Sequence, residues 1–208
     1  LSGDNWQATG KDRNLVTKLE RNLTIKNNSN NIKIKVKFTD RAGNETEYKD
    51  GKGEAISIDK SKPEIDVKYQ ETNPSNEVYF NKDQVVEITV TERNFDEEAT
   101  NRQIQITNTD GSVPTVGSWT HGGEKGTDRA THTTQITFSD DGDYTFAMKA
   151  TDLAENTEEY NQNDEFTIDQ TNPEIEVSYS TGGLSNNIYY KEECVATITV
   201  TEHNFDPS

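Results

Sequence analysis

Apolar and polar residues alternate along several short stretches of this chain. The clearest is 32–38, where isoleucine, valine and phenylalanine alternate with three lysines. A period of two is typical of a half-buried β-strand, with one face on a core and the other in water. The same pattern predicts strands at 65–69, 86–90, 104–106, 136–138 and 144–150, and a last strand that ends near Ile168. No helical period extends over ten residues, so the pattern predicts an all-β protein.

The inward-facing positions of these strands are predicted to form one core between two antiparallel sheets. Tyr144 follows the turn Asp141-Gly142, and we expect its hydroxyl to bond back to the preceding connection; the alternative is an ordinary turn beside a core aromatic. The glycine-rich stretch 122–126 is predicted to be a loop. The predicted core consists of Ile65, Val67, Val86, Ile88, Val90, Ile104, Ile106, Trp119, Ile136, Phe138, Tyr144, Phe146, Met148 and Ile168.

Internal similarity predicts how the chain is organised. Residues 58–98 return without a gap as 168–208, with 19 of 41 positions identical, and 38–48 resemble 150–160. Trp6 and Trp119 form a third matching pair. Repetition at about 110 residues suits a small globular domain rather than a solenoid repeat. We therefore expect the C-terminal part of one unit at 1–59, a complete unit at 60–169 and the N-terminal part of a further unit at 170–208.

Composition narrows the classes of partner and compartment. The net charge is −17, and 29% of residues are hydrophobic, which alone would favour disorder; the strand pattern and the repeats outweigh it. The acidic balance argues against nucleic acid and anionic membranes as partners. No run of 18 apolar residues predicts a transmembrane helix, and no signal peptide is visible. The single cysteine, Cys194, excludes an internal disulfide framework, and we expect it to be a partly buried thiol at the start of a strand.

Two motifs carry a resemblance to a known family. The turn motif TD-x-A-G-N stands at 39–44 and, with glutamate for glycine, at 151–156; the junction motif around I-D-x-T/S-x-P stands at 56–63 and 166–173. These motifs resemble those of bacterial immunoglobulin-like (BIg) domains of surface proteins and adhesins. The resemblance implies tandem immunoglobulin-like antiparallel β-sandwiches, a stiff extracellular stalk on a bacterial surface or in a secreted protein, and, as in some relatives, calcium at the junctions. Because Glu155 replaces the glycine, we expect the second turn to be remodelled.

Oxygen-bearing side chains recur near the predicted junctions. Calcium binds six to eight oxygen ligands from carboxylates and carbonyls, and loops at one end of a sandwich can bring such groups together. The alternative is that these residues cap their own turns and that Glu92 is a solvated strand residue. The motif T-E-x-N-F-D supplies Glu92, Asn94 and Asp96, and again Glu202, Asn204 and Asp206. The residues predicted as calcium ligands are Asp59, Glu92, Asp96, Asp152 and Asp169.

No catalytic constellation is evident, and neither a catalytic residue nor an organic cofactor is predicted. His121, His132 and His203 are scattered along the sequence, and each is expected to be structural. An isopeptide crosslink from Lys68 is disfavoured, because the alternation turns this lysine outward. Phe95 and Phe205 are expected to plug the ends of their sandwiches.

The pattern therefore predicts a non-enzymatic stalk or spacer of an adhesin-like protein. One alternative is an accessory immunoglobulin-like region of a secreted multidomain enzyme. Another is a carbohydrate- or protein-binding module that uses Trp119 or the loop 111–128, although the matching Trp6 favours a core role. The predicted partners are neighbouring repeats of the same protein. We also expect head-to-tail strand complementation, in which 170–208 completes 1–59 of the same or another molecule. The alternative is that the missing parts of both partial units exist outside these residues or are disordered.

Overall fold

A computed structural model of the 208-residue chain describes residues 2–13, 15–49, 55–70, 78–109, 112–180, 184–185, 189–191 and 193–205. Within these residues the regular structure is β-strand, apart from one short helix. The first eight strands are β1 Ser2–Gly3, β2 Gln7–Asp12, β3 Leu15–Glu20, β4 Leu23–Thr24, β5 Ser29–Ile32, β6 Lys35–Thr39, β7 Glu45–Lys49 and β8 Ile56–Ile58. The central elements are β9 Glu64–Tyr69, β10 Tyr79–Phe80, β11 Gln84–Thr91, α1 Glu97–Asn101, β12 Ile104–Asn108, β13 Thr120–Gly123, β14 Ala130–Phe138, β15 Gly142–Thr151 and β16 Thr157–Ile168. The last strands are β17 Glu174–Tyr179, β18 Leu184–Ser185, β19 Tyr189–Tyr190 and β20 Ala196–Thr201.

The central segment contains two four-stranded sheets that share one core. One sheet has the order β10-β16-β15-β12 and the other β13-β14-β11-β9. Strands β11 and β15 bury alternate side chains, and among the described residues only the β10–β16 pair is parallel. Every predicted core residue lies in this core: ten are buried, and Ile65, Val67, Ile104 and Ile106 are partly buried against it. The prediction of an all-β fold with this core is confirmed.

Strands β1–β8 and β17–β20 form separate two-stranded sheets. Among the described residues, no strand of the first group pairs with a strand of the second. The expected complementation within one molecule is therefore not seen, and complementation between molecules stays a prediction.

Several local predictions were wrong. The stretch 32–38 is divided between β5, which pairs with β8, and β6, which pairs with β7. The stretch 122–126 is only partly a loop, since β13 continues to Gly123 in pairing with β14. Strand β10 and helix α1 were not predicted. The helix forms because the Asp96 side chain accepts a hydrogen bond from the Ala99 backbone N–H at its N-terminus.

The tyrosine at the start of β15 bonds as expected. The Tyr144 hydroxyl donates to the Asp140 carbonyl at 2.8 Å, and the ring is buried. Gly142 has a φ of 141°, and a Cβ there would lie 2.0 Å from Oδ1 of Asn108, so the turn requires glycine.

The turn at 151–156 is not remodelled. Asp152 Oδ1 accepts from the backbone N–H groups of Ala154 and Asn156, and Oδ2 accepts from the Asn156 amide, each at 2.8 Å. Asp40 makes the same three bonds with Ala42 and Asn44. Glu155 adopts a φ of 66°, because these hydrogen bonds offset a strain of about 1–2 kcal/mol in the left-handed region.

The expectation for Cys194 was also wrong. The thiol is exposed and precedes β20, which begins at Ala196. Its counterpart Gln84 is buried because β11 is flanked by β14 and β9. Among the described residues, β20 pairs only with β17, so Cys194 lacks the strands on both sides that cover Gln84.

Candidate functional site

Two connections meet at one end of the central segment, as expected. The connection after β11 reaches the turn after β15 through a bridge between Phe95 and Asp152. The Leu153 N–H donates to the Asn94 carbonyl at 2.8 Å, and the Asp96 N–H donates to the Thr151 carbonyl at 3.1 Å. These backbone bonds fix the side chains of both connections relative to each other, and the junction residue Asp59 lies beside them.

Three of the five predicted ligands converge there. Carboxylate oxygens of Asp59, Glu92 and Asp152 lie within 4.8 Å of one another. Glu92 is 2% exposed and Asp152 1%, while Asp59 is half-buried. Buried carboxylates are costly unless hydrogen bonds or cations compensate them. The arrangement is therefore a candidate cation site.

Neutral donors satisfy part of this cluster. Glu92 Oε1 accepts from the Asn94 N–H at 2.9 Å, and Asp59 Oδ2 accepts from the Asn94 amide at 2.6 Å. Asp152 holds its own turn through the three bonds described above. An ionised carboxylate has about four acceptor sites, so lone pairs remain for a further ligand.

The electrostatics also favour a positive charge in the cluster. Burial, the largest cause, acts together with the charges of Asp59 and Asp152 and against the lowering effect of the Asn94 N–H, and the result is a pKa of about 7 for Glu92. The guanidinium of nearby Arg93 forms its ion pair with Asp128, at 2.9 Å, rather than with the cluster. A cation between the three carboxylates would stabilise the ionised form of Glu92.

The structure does not bring the other two predicted ligands into the cluster. Asp96 Oδ1 caps helix α1, which is a structural role. Asp169 lies at the second junction, where its Oδ2 accepts from the Asn204 amide at 3.1 Å and Glu202 Oε1 accepts from the Asn204 N–H at 3.0 Å. Asp206 lies outside the described residues.

The two junctions share a set of hydrogen bonds. Asp59 Oδ1 accepts from the Ser61 N–H, and Asp169 Oδ1 accepts from the Thr171 N–H, both at 3.2 Å. The middle residue of each junction bonds to the preceding segment. The Lys60 N–H donates to Asn28 Oδ1 at 3.1 Å, and the Gln170 N–H donates to Asp141 Oδ1 at 2.8 Å. We call residues 59–61 and 169–171 the first and second joints. Both joints are held by side chains on each side.

Sequence reasoning missed a second cluster. His121 and His132, which appeared scattered, are directly opposite on β13 and β14, with their Nδ1 atoms 2.8 Å apart. Burial lowers the pKa of His132, and the neighbouring His121 lowers it further, so the neutral ring is favoured. The two histidines are about equally distant in sequence from the turn near Gly126, which places them opposite each other in a hairpin. The sequence would have predicted this pairing only if 122–123 had been recognised as part of a strand.

The aromatic and lysine predictions have mixed outcomes. Trp119 is 7% exposed, and its Nε1 donates to Asn101 at 2.8 Å, which confirms the core role. Phe95 is half-buried against Trp119 and His132, whereas Phe205 is exposed. Lys68 faces outward in an ion pair with Asp66, as predicted.

No protein-family profile, curated protein or solved structure matches this chain. Within the described residues, no helix has the length and apolar character needed to cross a membrane.

Proposed function

We propose that this chain is a non-enzymatic spacer segment of a bacterial cell-surface or secreted adhesin-like protein, built from tandem immunoglobulin-like units. The observation that carries the proposal is the pair of hydrogen-bonded joints. A spacer must hold its two ends at a fixed distance and orientation, which a flexible linker does not do. Side-chain bonds across each joint, together with Pro63 and Pro173 just beyond them, oppose bending.

Strand registers support the tandem arrangement. Strands β9 and β11 pair Ile65 with Val90, and β17 and β20 pair Ile175 with Val200, at an offset of 110. Hairpin β6–β7 pairs Val36 with Tyr48 as β15–β16 pairs Met148 with Tyr160, at an offset of 112. Similar residues therefore take the same partners in separate parts of the chain, as equivalent strands of repeated units would.

The acidic cluster supports calcium as a stiffening ligand of the first joint. Calcium–oxygen bonds of about 2.3–2.6 Å allow two ligand oxygens to lie up to about 5 Å apart, which suits the 4.8 Å limit of this cluster. Asp59 belongs to the joint, whereas Glu92 and Asp152 belong to the central segment. A hard cation bound by all three would tie the joint to the segment that follows it.

The structure argues against a binding module that uses Trp119, but it does not distinguish a stalk from an accessory region of an enzyme. A binding module that used Trp119 would need that indole on the surface, and it is buried. Gly111, the first residue of the other loop considered for binding, lies outside the described residues. An accessory region of a secreted enzyme would use the same spacer design, so the sequence of the whole gene product distinguishes that alternative.

A distance measurement tests whether the second joint is stiff. Cys194, which is exposed, takes one nitroxide label, and an exposed strand position in β14 takes the other as Thr137→Cys. We expect electron–electron double resonance to give a narrow distance distribution, which broadens when Asp169→Ala and Asn204→Ala remove the joint's side-chain bonds.

The control pair places both labels in the central segment, with Thr137→Cys, Glu98→Cys and Cys194→Ser. Its width gives the contribution of the labels alone and should not change with the joint variants. A distribution in the unaltered joint as broad as in the double variant would overturn the proposed spacer function.

A further inference from the structure

The histidine pair of β13 and β14 lies outside the acidic cluster and has its own chemistry. His121 and His132 face each other across paired strands, with Nδ1 atoms 2.8 Å apart and ring centroids 5.1 Å apart. We infer that these two imidazoles form a binding site for a divalent transition-metal ion of the zinc class. This site does not depend on the proposed spacer function.

The outer nitrogen of His132 has an acceptor. Nε2 of His132 lies 2.9 Å from the Glu92 carbonyl, which can only accept a hydrogen bond, so this nitrogen carries the proton. In the neutral ring this tautomer directs the Nδ1 lone pair of His132 toward His121. Nε2 of His121 lies 3.8 Å from a carboxylate oxygen of Glu97, which is within ion-pair range but too long for a hydrogen bond. Metal-binding histidines commonly present one nitrogen to the ion while the other donates to a carbonyl or carboxylate.

The two facing nitrogens need something between them. Two Nδ1 lone pairs at 2.8 Å repel unless a proton or a metal ion lies between the rings. A proton forms an N–H···N bond in which His121 is the donor and His132 the acceptor. A metal ion would instead take both lone pairs and leave the Nε2 proton of His132 on the Glu92 carbonyl.

The separation of the rings fits a metal after a small adjustment. With metal–nitrogen bonds of about 2.1 Å, two ligand nitrogens at angles of 90–109° lie about 3.0–3.4 Å apart. The His121 side chain is 56% exposed and can turn by the few tenths of an ångström required. His132 is held in place, because its ring stacks on Phe95 at a centroid distance of 4.5 Å. Water would complete the coordination on the exposed side.

The donor atoms determine the class of ion. Imidazole nitrogens suit zinc, copper and nickel, whereas calcium and magnesium prefer the oxygen ligands of the acidic cluster. The first hairpin, β2–β3, offers no such site at the matching place: the offset that relates Trp6 to Trp119 leads to Ala8 and Leu19, which are paired directly. The site is thus particular to the central segment.

Zinc titration of the full chain tests the inference. Cys194→Ser removes the exposed thiol as a competing ligand, and millimolar calcium in the buffer fills the oxygen sites. We expect one zinc ion per chain by calorimetry. His121→Ala should weaken binding about tenfold or more, because a two-point site becomes a one-point site. His203→Ala, which leaves both imidazoles in place, should bind as the parent does.

Nitrogen-15 NMR of the imidazoles gives the second readout. Zinc should shift the Nδ1 signals of His121 and His132 together and leave His203 unchanged. His132→Gln repeats the affinity test, with amide exchange of β14 as the check that the variant is folded. The inference is overturned if the parent chain binds no zinc, if binding survives His121→Ala, or if the responding Nδ1 signals belong to other histidines.

Discussion

The charge behaviour of the carboxylates near the first joint depends more on how far each is buried than on its residue type. Glu92 continues the inward-facing alternation of Val86, Ile88 and Val90, and it is almost fully buried beside two other carboxylates. Asp152 has the same sequence role as Asp40 and the same turn bonds, yet only Asp152 is covered, since the Asp40 turn is exposed. The Asn44 side chain and backbone hold the pKa of Asp40 below its usual range. The same turn can therefore be purely structural in one segment and part of a charged cluster in the next.

Glu92→Gln should remove a pH dependence of stability. The pKa of Glu92 is about 7 in the folded chain and about 4.5 when unfolded, so the folded state binds the proton more tightly. Its stabilising contribution is full below about pH 4.5 and is lost as the pH rises through about 7. In metal-free buffer we expect this loss to be on the order of 2 kcal/mol in the unaltered chain and absent in the variant. Urea unfolding at pH 5 and pH 8 measures the difference.

Calcium should reverse that loss at pH 8. Millimolar calcium should raise the melting temperature of the unaltered chain, and a chelator should lower it, because the ion binds only the folded cluster. Glu92→Gln should respond much less, and Asp169→Ala, outside this cluster, should respond like the unaltered chain. Identical melting curves with calcium and with chelator would contradict the calcium assignment.

Sequence reasoning predicted three carboxylates that lie close together, and their role as calcium ligands stays a prediction. Asp59, Glu92 and Asp152 were predicted because the junction, strand-end and turn motifs were expected at one end of a sandwich. Asp96 was also predicted, but an Asp-Glu-Glu-Ala sequence can start a helix, and its carboxylate is used there. The histidine pair was missed because partners across a hairpin depend on register, and a glycine-rich stretch hid the strand.

At the scale of elements, alternation located the strands well and their ends less well. Strands β11 and β15 were predicted because every second side chain is apolar and buried. The two-residue strand β10 has too few positions to show a period, and helix α1 is shorter than two turns. The break between β5 and β6 separates strands with different partners, β8 and β7, and an alternating pattern does not report which strands pair.

Alanine substitutions at matching positions of β11 and β20 should separate the contribution of burial to stability from that of strand propensity. Ile88 is fully buried between β9 and β14, whereas its counterpart Ile198 is 67% exposed. Ile88→Ala should cost about 2–5 kcal/mol, because it leaves a cavity in the core. Ile198→Ala in the monomer should change stability by less than about 0.5 kcal/mol. Urea dependence of amide exchange, read at β14 and at β17, measures each; equal costs would contradict the described core.

At the scale of the whole molecule, the sheet of β17 and β20 carries an uncovered apolar face. Ile175, Val177 and Ile198 are exposed, while the residues at the same register in β9 and β11 pack on the central core. Hairpin β6–β7 has the register of the hairpin β15–β16 that covers that core. The chain thus contains both an open face and a hairpin of the kind that closes such a face elsewhere.

Head-to-tail association between molecules is the expected consequence. Covering the apolar face removes it from water, so the average mass from light scattering should rise above 23.4 kDa as concentration increases. Ile198→Asp should suppress the rise, since burying an unpaired carboxylate in the contact is costly, whereas Thr197→Asp, on the opposite side of β20, should have a smaller effect. Limited proteolysis should show protection of 2–49 and 174–205 that grows with concentration. A monomeric mass at every concentration, with both segments cleaved readily, would exclude complementation.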